Sequence, residues 1–507
     1  MAIRITTASF NGVEGIKVTV EIDISYGLPC FNIVGLADVA VKESKERVRA
    51  AIINSGYEFP VSRITINLAP ADLRKDGSQF DLPIAIGILA ATGQISFEDI
   101  KEYMFMGELS LLGDIKKIRG ALPILICGIE SNIKKFVVPY DNREECSLIK
   151  GAKVYGFRNL KDLIEAIEDN NWIRYKSSRK VKCTSDESMD YEDVVGQESC
   201  KRAIEVAAAG GHNLIMFGPP GSGKTMMAKR IPSILPSMNY EEALEVTRIY
   251  SVSGSVPSDS GIISIRPFRN PHHTASRLSL VGGGSRLMPG EISLAHNGVL
   301  YLDEILEFNK NVLEVLRQPL EDRTIKISRA SGTVTFPANI MLVASLNPCP
   351  CGFFGSNVKD CFCSDIERKR YLNKMSGPLL DRMDIFSFVS PLQYNDFHSE
   401  RKGESSAIIQ KRVEGAREIQ KKRFVEHKIY CNAEMSEKLI KMYCKLDKSS
   451  AKFVKNIFER FNISARVYSR ILKVARTIAD LDNRENIEES DLIEALQYRR
   501  FIDEKII

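Results

Sequence analysis

The stretch GPPGSGKT, Gly218 to Thr225, has the residue types and spacing that hold a phosphate chain. Gly218, Gly221 and Gly223, with Pro219, Pro220 and Ser222 between them, let backbone N–H groups converge on phosphate oxygens. Lys224 is placed to reach the β and γ phosphates, and the Thr225 hydroxyl to hold magnesium. The apolar run LIMF precedes this loop and a helical pattern follows it, so the positive end of a helix adds to the pull on an anion. A second reactive pair, Asp303 and Glu304, ends the apolar run VLYL. Two carboxylates at the end of a buried strand need compensation. Magnesium supplies it for Asp303, directly or through its water, and leaves Glu304 to orient and polarise an attacking water. The two motifs together imply ATP hydrolysis rather than binding alone, although nothing in them selects adenine over guanine.

Three more groups fall downstream. Asn347 closes the buried run NIMLVASLN, where a polar strand end faces the ligand crevice of a parallel sheet; it can sense the γ-phosphate, or simply cap the turn before Pro348. Arg382, between two acids in MSGPLLDRMDI, has a guanidinium that matches phosphate geometry; the alternative is an Asp–Arg surface network. Between them, NPCPCGFFGSNVKDCFCSD carries Cys349, Cys351, Cys361 and Cys363. Four thiols in a reducing compartment suit tetrahedral Zn2+ in a closed structural site. Free or redox-active thiols are the competing reading, because C-x-C is not the usual C-x-x-C ligand pair. His272 and His273 are adjacent, so they do not share a helical face, and no carboxylate or cysteine lies close by; metal is not expected there.

The elements that must position these groups fall into three parts. The chain has 507 residues, too many for one core. Residues 1–169 read as an α/β domain: strands at GIKVTVEIDI and RITINLAP, a helix at VAVKESKERVRAAIINSG stopped by Gly56, an apolar helix at FDLPIAIGILAATG, and a strand and turn at KKFVVPYDN. Residues 170–188 are polar and aperiodic and read as a linker. Residues 189–390 carry the phosphate loop. Residues 391–507 read as all-helical, with helices expected in ESSAIIQKRVEGAREIQKKRF, NAEMSEKLIKMYCKL, SARVYSRILKVARTIADLD and IEESDLIEALQYRRF. The net charge, 70 basic minus 65 acidic side chains or +5, permits a nucleic-acid partner without demanding one. No apolar run is long enough to span a bilayer and no targeting signal stands at the start, so a cytoplasmic protein with no membrane partner is expected.

GPPGSGKT, LYLDEILEF, SLNPCPCG and GPLLDRMD together resemble the magnesium-chelatase-like branch of AAA+ ATPases, and the match is closest to the ComM/YifB family. RPFRNPHHTASRLSLVGGGSRLMPGEISLAHNGVLYLDEILEF is specific to that group. The resemblance covers the whole chain. It implies an AAA+ P-loop core, a C-terminal helical lid and an N-terminal Lon-protease-like α/β domain of the ribosomal S5 domain 2 kind. It implies that Asn347 is a first sensor, Arg382 a finger given to the neighbouring subunit and Arg466 a second sensor. On residue type alone, Arg466 is an ordinary helical arginine. Such proteins assemble into rings, typically hexamers, and ComM-type members are similar to helicases that promote branch migration of DNA during recombination of transforming DNA. The partners implied are therefore further copies of the chain and single-stranded or branched DNA.

The same resemblance places SIRPFRNPHHTAS in an insertion before the strand that ends at Asp303. Arg266, Arg269, Arg277 and Arg286 make it basic, and glycines 282 to 284 would make it mobile, so it could track a phosphate backbone from a ring pore. Equally, it could be a structural insertion packed on its own domain. EDRTIKISRASGTVTFP reads as a hairpin offering Arg323, Lys326 and Arg329. In Lon peptidases a serine and a lysine form the catalytic pair. Here the serine position falls on Gln79, with Ser78 one residue early, and the lysine position falls on Leu122, with Lys116 and Lys117 nearby. An amide and an alkyl group supply neither nucleophile nor base, so an inactive peptidase-like domain is expected. The alternatives are a chelatase-type motor for metal insertion into a tetrapyrrole, a nucleotide-controlled scaffold, and an ATP-dependent protease.

Overall fold

The computed structural model describes the chain except residues 1, 37, 73–74, 178–188, 258–260, 285–286, 330–331, 356–358, 392–402, 462–463 and 500–507. Most of the expected linker and Arg286 therefore lie outside the described residues.

The first part is built on a seven-stranded mixed sheet, in spatial order Cys30–Val34, Arg63–Ala69, Glu14–Ser25, Ile3–Asn11, Tyr103–Phe105, Lys135–Pro139 and Lys153–Phe157. Alternation in GIKVTVEIDI sets the register: Val18, Val20 and Ile22 point to the core while their neighbours do not. Helix Val39–Asn54 starts where the Asp38 side chain accepts from the Val41 N–H, and ends just before Gly56, whose φ of +90° a Cβ would disfavour. Helix Asp81–Ala91 is buried almost all round, which is why its sequence shows no polar face.

The second part is a five-stranded sheet in the order Phe268–Arg269, Val299–Leu302, Met341–Leu346, Leu214–Phe217 and Ile385–Phe388, with every pairing parallel. LIMF, VLYL and MLVASL are wholly buried, as strands covered on both faces must be. Their carboxyl ends lie side by side, because Leu302 pairs with Ala344 and Phe217 with Leu346. That register brings the phosphate loop, Asp303 and Asn347 to one edge of the sheet. Thr324–Arg329 and Gly332–Pro337 form the antiparallel hairpin read from the sequence.

The C-terminal helices Ser406–Arg423, Glu437–Tyr443, Lys448–Phe461, Ala465–Leu481 and Glu489–Gln497 share a continuous core with the parallel sheet: Leu214 and Met216 belong to the same cluster as Val413, Leu472 and Val474. The helical part is thus docked on the sheet. The first part also touches the second. Gly120 N–H donates to Ser251 O at 2.9 Å, Leu122 N–H to Ser251 Oγ at 3.3 Å, and Lys117 Nζ to Val256 O at 3.1 Å. Among the described residues no helix is long and apolar enough to cross a membrane.

Candidate functional site

The phosphate loop bends through Gly221 (φ +77°) and Gly223 (φ +90°), a left-handed conformation that side chains rarely adopt. Helix Lys224–Arg230 follows directly. The Lys224 ammonium has three protons to give and finds three acceptors: Gly218 O at 2.8 Å, Pro219 O at 2.9 Å and Asn347 Oδ1 at 3.3 Å. The loop lysine and the strand-end asparagine are therefore in direct contact. Burial lowers the Lys224 ammonium to about 8, with Asp303 and Glu304 pulling the other way.

Asp303 is the hub of the site. Thr225 Oγ1 donates to its Oδ2 at 2.9 Å, Tyr301 OH donates to its Oδ1 at 2.9 Å, and the Ser345 hydroxyl donates to the same Oδ1. Burial pushes this carboxyl up, but the three hydroxyls and the Glu304 N–H outweigh it and hold the group below its ordinary value. The result is an anion beside a hydroxyl oxygen, the hard oxygen pair that suits magnesium. Thr225 and Asp303 would hold that ion and Lys224 would hold phosphate. Glu304 has the left-handed φ of +49°, unusual for a residue with a Cβ, and its N–H is fixed by Ser345 Oγ at 2.9 Å. Its side chain stays exposed, free to meet a water.

Tyr301 and Ser345 were not foreseen. Each leaves a trace in the sequence: a hydroxyl two residues before Asp303, hence on the same face of its strand, and a lone polar residue inside MLVASL.

The arginines lie elsewhere. Arg382 Nη1 donates to Pro378 O at 2.8 Å and its Nη2 pairs with Glu321 of the same chain. Exposed Arg466 lines a cavity together with Arg382, Glu321, Asp381 and Arg470, and none of the phosphate-loop residues forms its walls. Behind this cavity, Asp384 is buried. It pairs with Arg470, accepts from Asn213 N–H at 3.0 Å, and lies 3.6 Å from His212 Nδ1. Burial alone would push Asp384 up, but Arg470, His212 and that N–H hold it far below the usual carboxylate range. Arg470 also donates to Arg382 O at 3.2 Å, so one network joins helix Ala465–Leu481 to the segment that carries Arg382.

The basic candidates divide. Arg266 is occupied internally: it donates to Pro236 O at 2.6 Å, Asn297 O at 2.7 Å and both oxygens of Glu242 at 3.1 Å. Arg269 makes a two-bond pair with Glu291 at 2.6 and 2.8 Å, and Arg323 pairs with Glu434 at 2.5 Å. These guanidiniums have carboxylate partners within the protein, as an insertion packed on its own domain would have. Arg277, Lys326 and Arg329 are exposed. Gly282 and Gly283, expected to be mobile, pair with Pro289 and Met288 in a short ladder. His272 and His273 lie with ring centroids 4.0 Å apart, and His272 bonds Thr274 Oγ1 at 2.8 Å.

The four thiols come together, with sulfurs all within 4.8 Å of one another. In the first part, the Gln79 amide donates to Asp76 O at 2.9 Å, the Ser78 hydroxyl is bonded to Glu108, and Leu122 is 1% exposed.

Residues 190–397 match the family model described as magnesium chelatase, subunit ChlI; residues 20–142 match subunit ChlI of Mg-chelatase, and residues 403–499 the ChlI C-terminal region. The chain belongs to the magnesium-chelatase-like ComM/YifB family. It is 44% identical to protein YifB of Escherichia coli K12 over 97% of this chain and 96% of that one, and 41% identical to competence protein ComM of Haemophilus influenzae over 99% and 98%. A weaker likeness, 26% over 146 residues, links 28% of the chain to 26% of Lon protease 2 of Bacillus subtilis.

Proposed function

We propose that this protein is an AAA+ ATPase whose subunits close into a ring, of six in the expected form, and that hydrolysis drives branch migration of DNA during recombination. In this reading residues 1–169 form a Lon-protease-like domain without peptidase activity, 189–390 the ATPase core and 391–507 the lid. One observation carries the ring: Lys224, Thr225, Asp303 and Asn347 gather at one crevice, while Arg382 and Arg466 share a different cavity. A transition state needs cationic stabilisation at the γ-phosphate, so the arginines of one chain are offered to the nucleotide of the next. Glu304 orients water, Asn347 couples Lys224 to the sensor strand, and Arg382 exchanges Glu321 for phosphate oxygens. The printed name of the ComM relative, a competence protein, supports a role with incoming DNA, and exposed Arg277, Lys326 and Arg329 provide backbone contacts.

The test is ATPase rate and strand exchange on four-way junctions and forked duplexes. Stimulation with junction movement is expected; an active ATPase that ignores DNA contradicts the DNA half. The description of the matching family models favours a second reading, a motor for metal insertion into a tetrapyrrole. ATPase stimulation by porphyrin with a partner subunit, and none by DNA, would select it. Engagement of Ser78 with Glu108 supports the inactive peptidase, and peptide cleavage lost in Ser78→Ala would overturn it.

A further inference from the structure

Cys349 is fully buried, and its sulfur faces two other sulfurs. Its Sγ lies 3.3 Å from Cys351 Sγ and 3.6 Å from Cys361 Sγ, and those two are 3.6 Å apart. Zinc–sulfur bonds of about 2.3 Å in a tetrahedron put sulfurs roughly 3.8 Å apart. Those three sulfurs need only small outward shifts to reach that spacing, the Cys363 sulfur stands within 4.8 Å of each of them, and the close C-x-C spacing does not prevent closure on one ion. The Phe354 N–H points at Cys349 Sγ at 3.4 Å, an outer contact that steadies a thiolate ligand. Four thiolates on one divalent ion leave net negative charge. Two basic side chains lie over aromatic rings of the segment that carries the cysteines, Arg368 at 3.9 Å from the Phe354 ring and Lys359 at 5.4 Å from Phe353.

The position of the cluster gives it a further consequence. Cys349 and Cys351 follow Asn347 at the end of the sensor strand. Cys363 precedes Ser364, which caps helix Asp365–Leu372, and Tyr371 and Leu372 of that helix are in the core. One ion would tie strand to helix. The turn from Cys349 to Gly352, closed by Gly352 N–H to Cys349 O at 2.9 Å, also rests on the phosphate loop. Gly352 has φ +84°, and a Cβ there would come within 2.8 Å of Pro220 Cδ and 4.0 Å of Asn347 Cγ. There is no space between this turn and the loop that holds Lys224.

We propose that Cys349, Cys351, Cys361 and Cys363 bind one structural zinc ion, and that the closed knuckle braces the phosphate loop through Gly352 against Pro220, so that nucleotide affinity depends on the metal. The bracing rests on the ATPase reading above; the zinc site does not.

The full-length chain, purified with thiol reductant and without chelator, should contain one zinc per chain by elemental analysis. Cobalt exchanged into it should give the charge-transfer bands of a tetrahedral thiolate site. Removing zinc under reductant should weaken binding of a fluorescent ADP by about tenfold, since small displacements of a binding loop cost that much, and added zinc should restore it. The Cys361→Ser, Cys363→Ser double variant should be zinc-free with the same loss. Gly352→Ala should keep zinc and lose affinity, which separates bracing from folding. Reduced protein without zinc, or with the four thiols found as disulfides, overturns the site. Zinc that leaves with affinity unchanged overturns the bracing. Zinc-loaded protein that binds no nucleotide overturns the ATPase reading and, with it, the bracing, while supporting the zinc site.

Discussion

Raising the pH should weaken nucleotide binding by an amount that follows from the surroundings of Lys224. Without phosphate, its ammonium sits against two backbone carbonyls and Asn347, and burial lowers its pKa to about 8. Phosphate oxygens stabilise the charged form, so the bound state keeps its proton well above that value. At pH 7 about 90% of free sites are charged, and at pH 9 about 10%, so affinity should fall about tenfold, or ~1.4 kcal/mol, over those two units. Fluorescent-nucleotide titrations at saturating magnesium would follow the slope. Calorimetry in two buffers of different ionisation enthalpy should show uptake of close to one proton at pH 9 and little at pH 7. In Lys224→Arg the guanidinium stays charged and the slope should vanish. A flat affinity from pH 7 to 9 in the unaltered protein, with no proton uptake, would refute this picture of a desolvated lysine.

Glu304→Gln should keep nucleotide affinity and lose at least about 100-fold in hydrolysis rate, because the carboxylate acts on the water rather than on phosphate. Arg470→Ala leaves buried Asp384 without its ion partner and should cost about 3 kcal/mol in denaturant unfolding. Since Asp384 is held below its unfolded pKa, that contribution is present above roughly pH 4 and fades as pH falls below it; the difference between variant and parent should therefore shrink in acid. Lys326→Ala with Arg329→Ala should weaken DNA binding irrespective of sequence and flatten the log-affinity against log-salt slope by roughly 1.4 to 1.8.

What could be read from the chain follows contact distance along it. The phosphate loop and the Asp303–Glu304 pair are contiguous, and their flanking apolar runs are buried parallel strands, so both were legible. The hydroxyls that fix Asp303 were not: Ser345 reaches it only through the register that pairs Leu302 with Ala344. Arg266 and Arg269 look like any basic pair until Glu242 and Glu291 fold against them. The Asp384–Arg470 pair joins two separate parts of the chain, and no local pattern announces it. Helix Lys448–Phe461 has no counterpart among the expected helices; Asp447, which accepts from the Ser450 N–H at 2.8 Å, is the capping signal that marks its start.

The shared site can be checked by mixing two inactive proteins. Glu304→Gln retains the arginine that a chain would give to its neighbour, and Arg382→Ala retains the carboxylate that acts on its own water. In rings assembled from equal amounts, about one interface in four joins an intact carboxylate to an intact arginine. The mixture should recover about a quarter of the parent ATPase rate, whereas either variant alone should stay near zero. No recovery on mixing, or an Arg382→Ala protein as active as the parent, would contradict a site built from two chains.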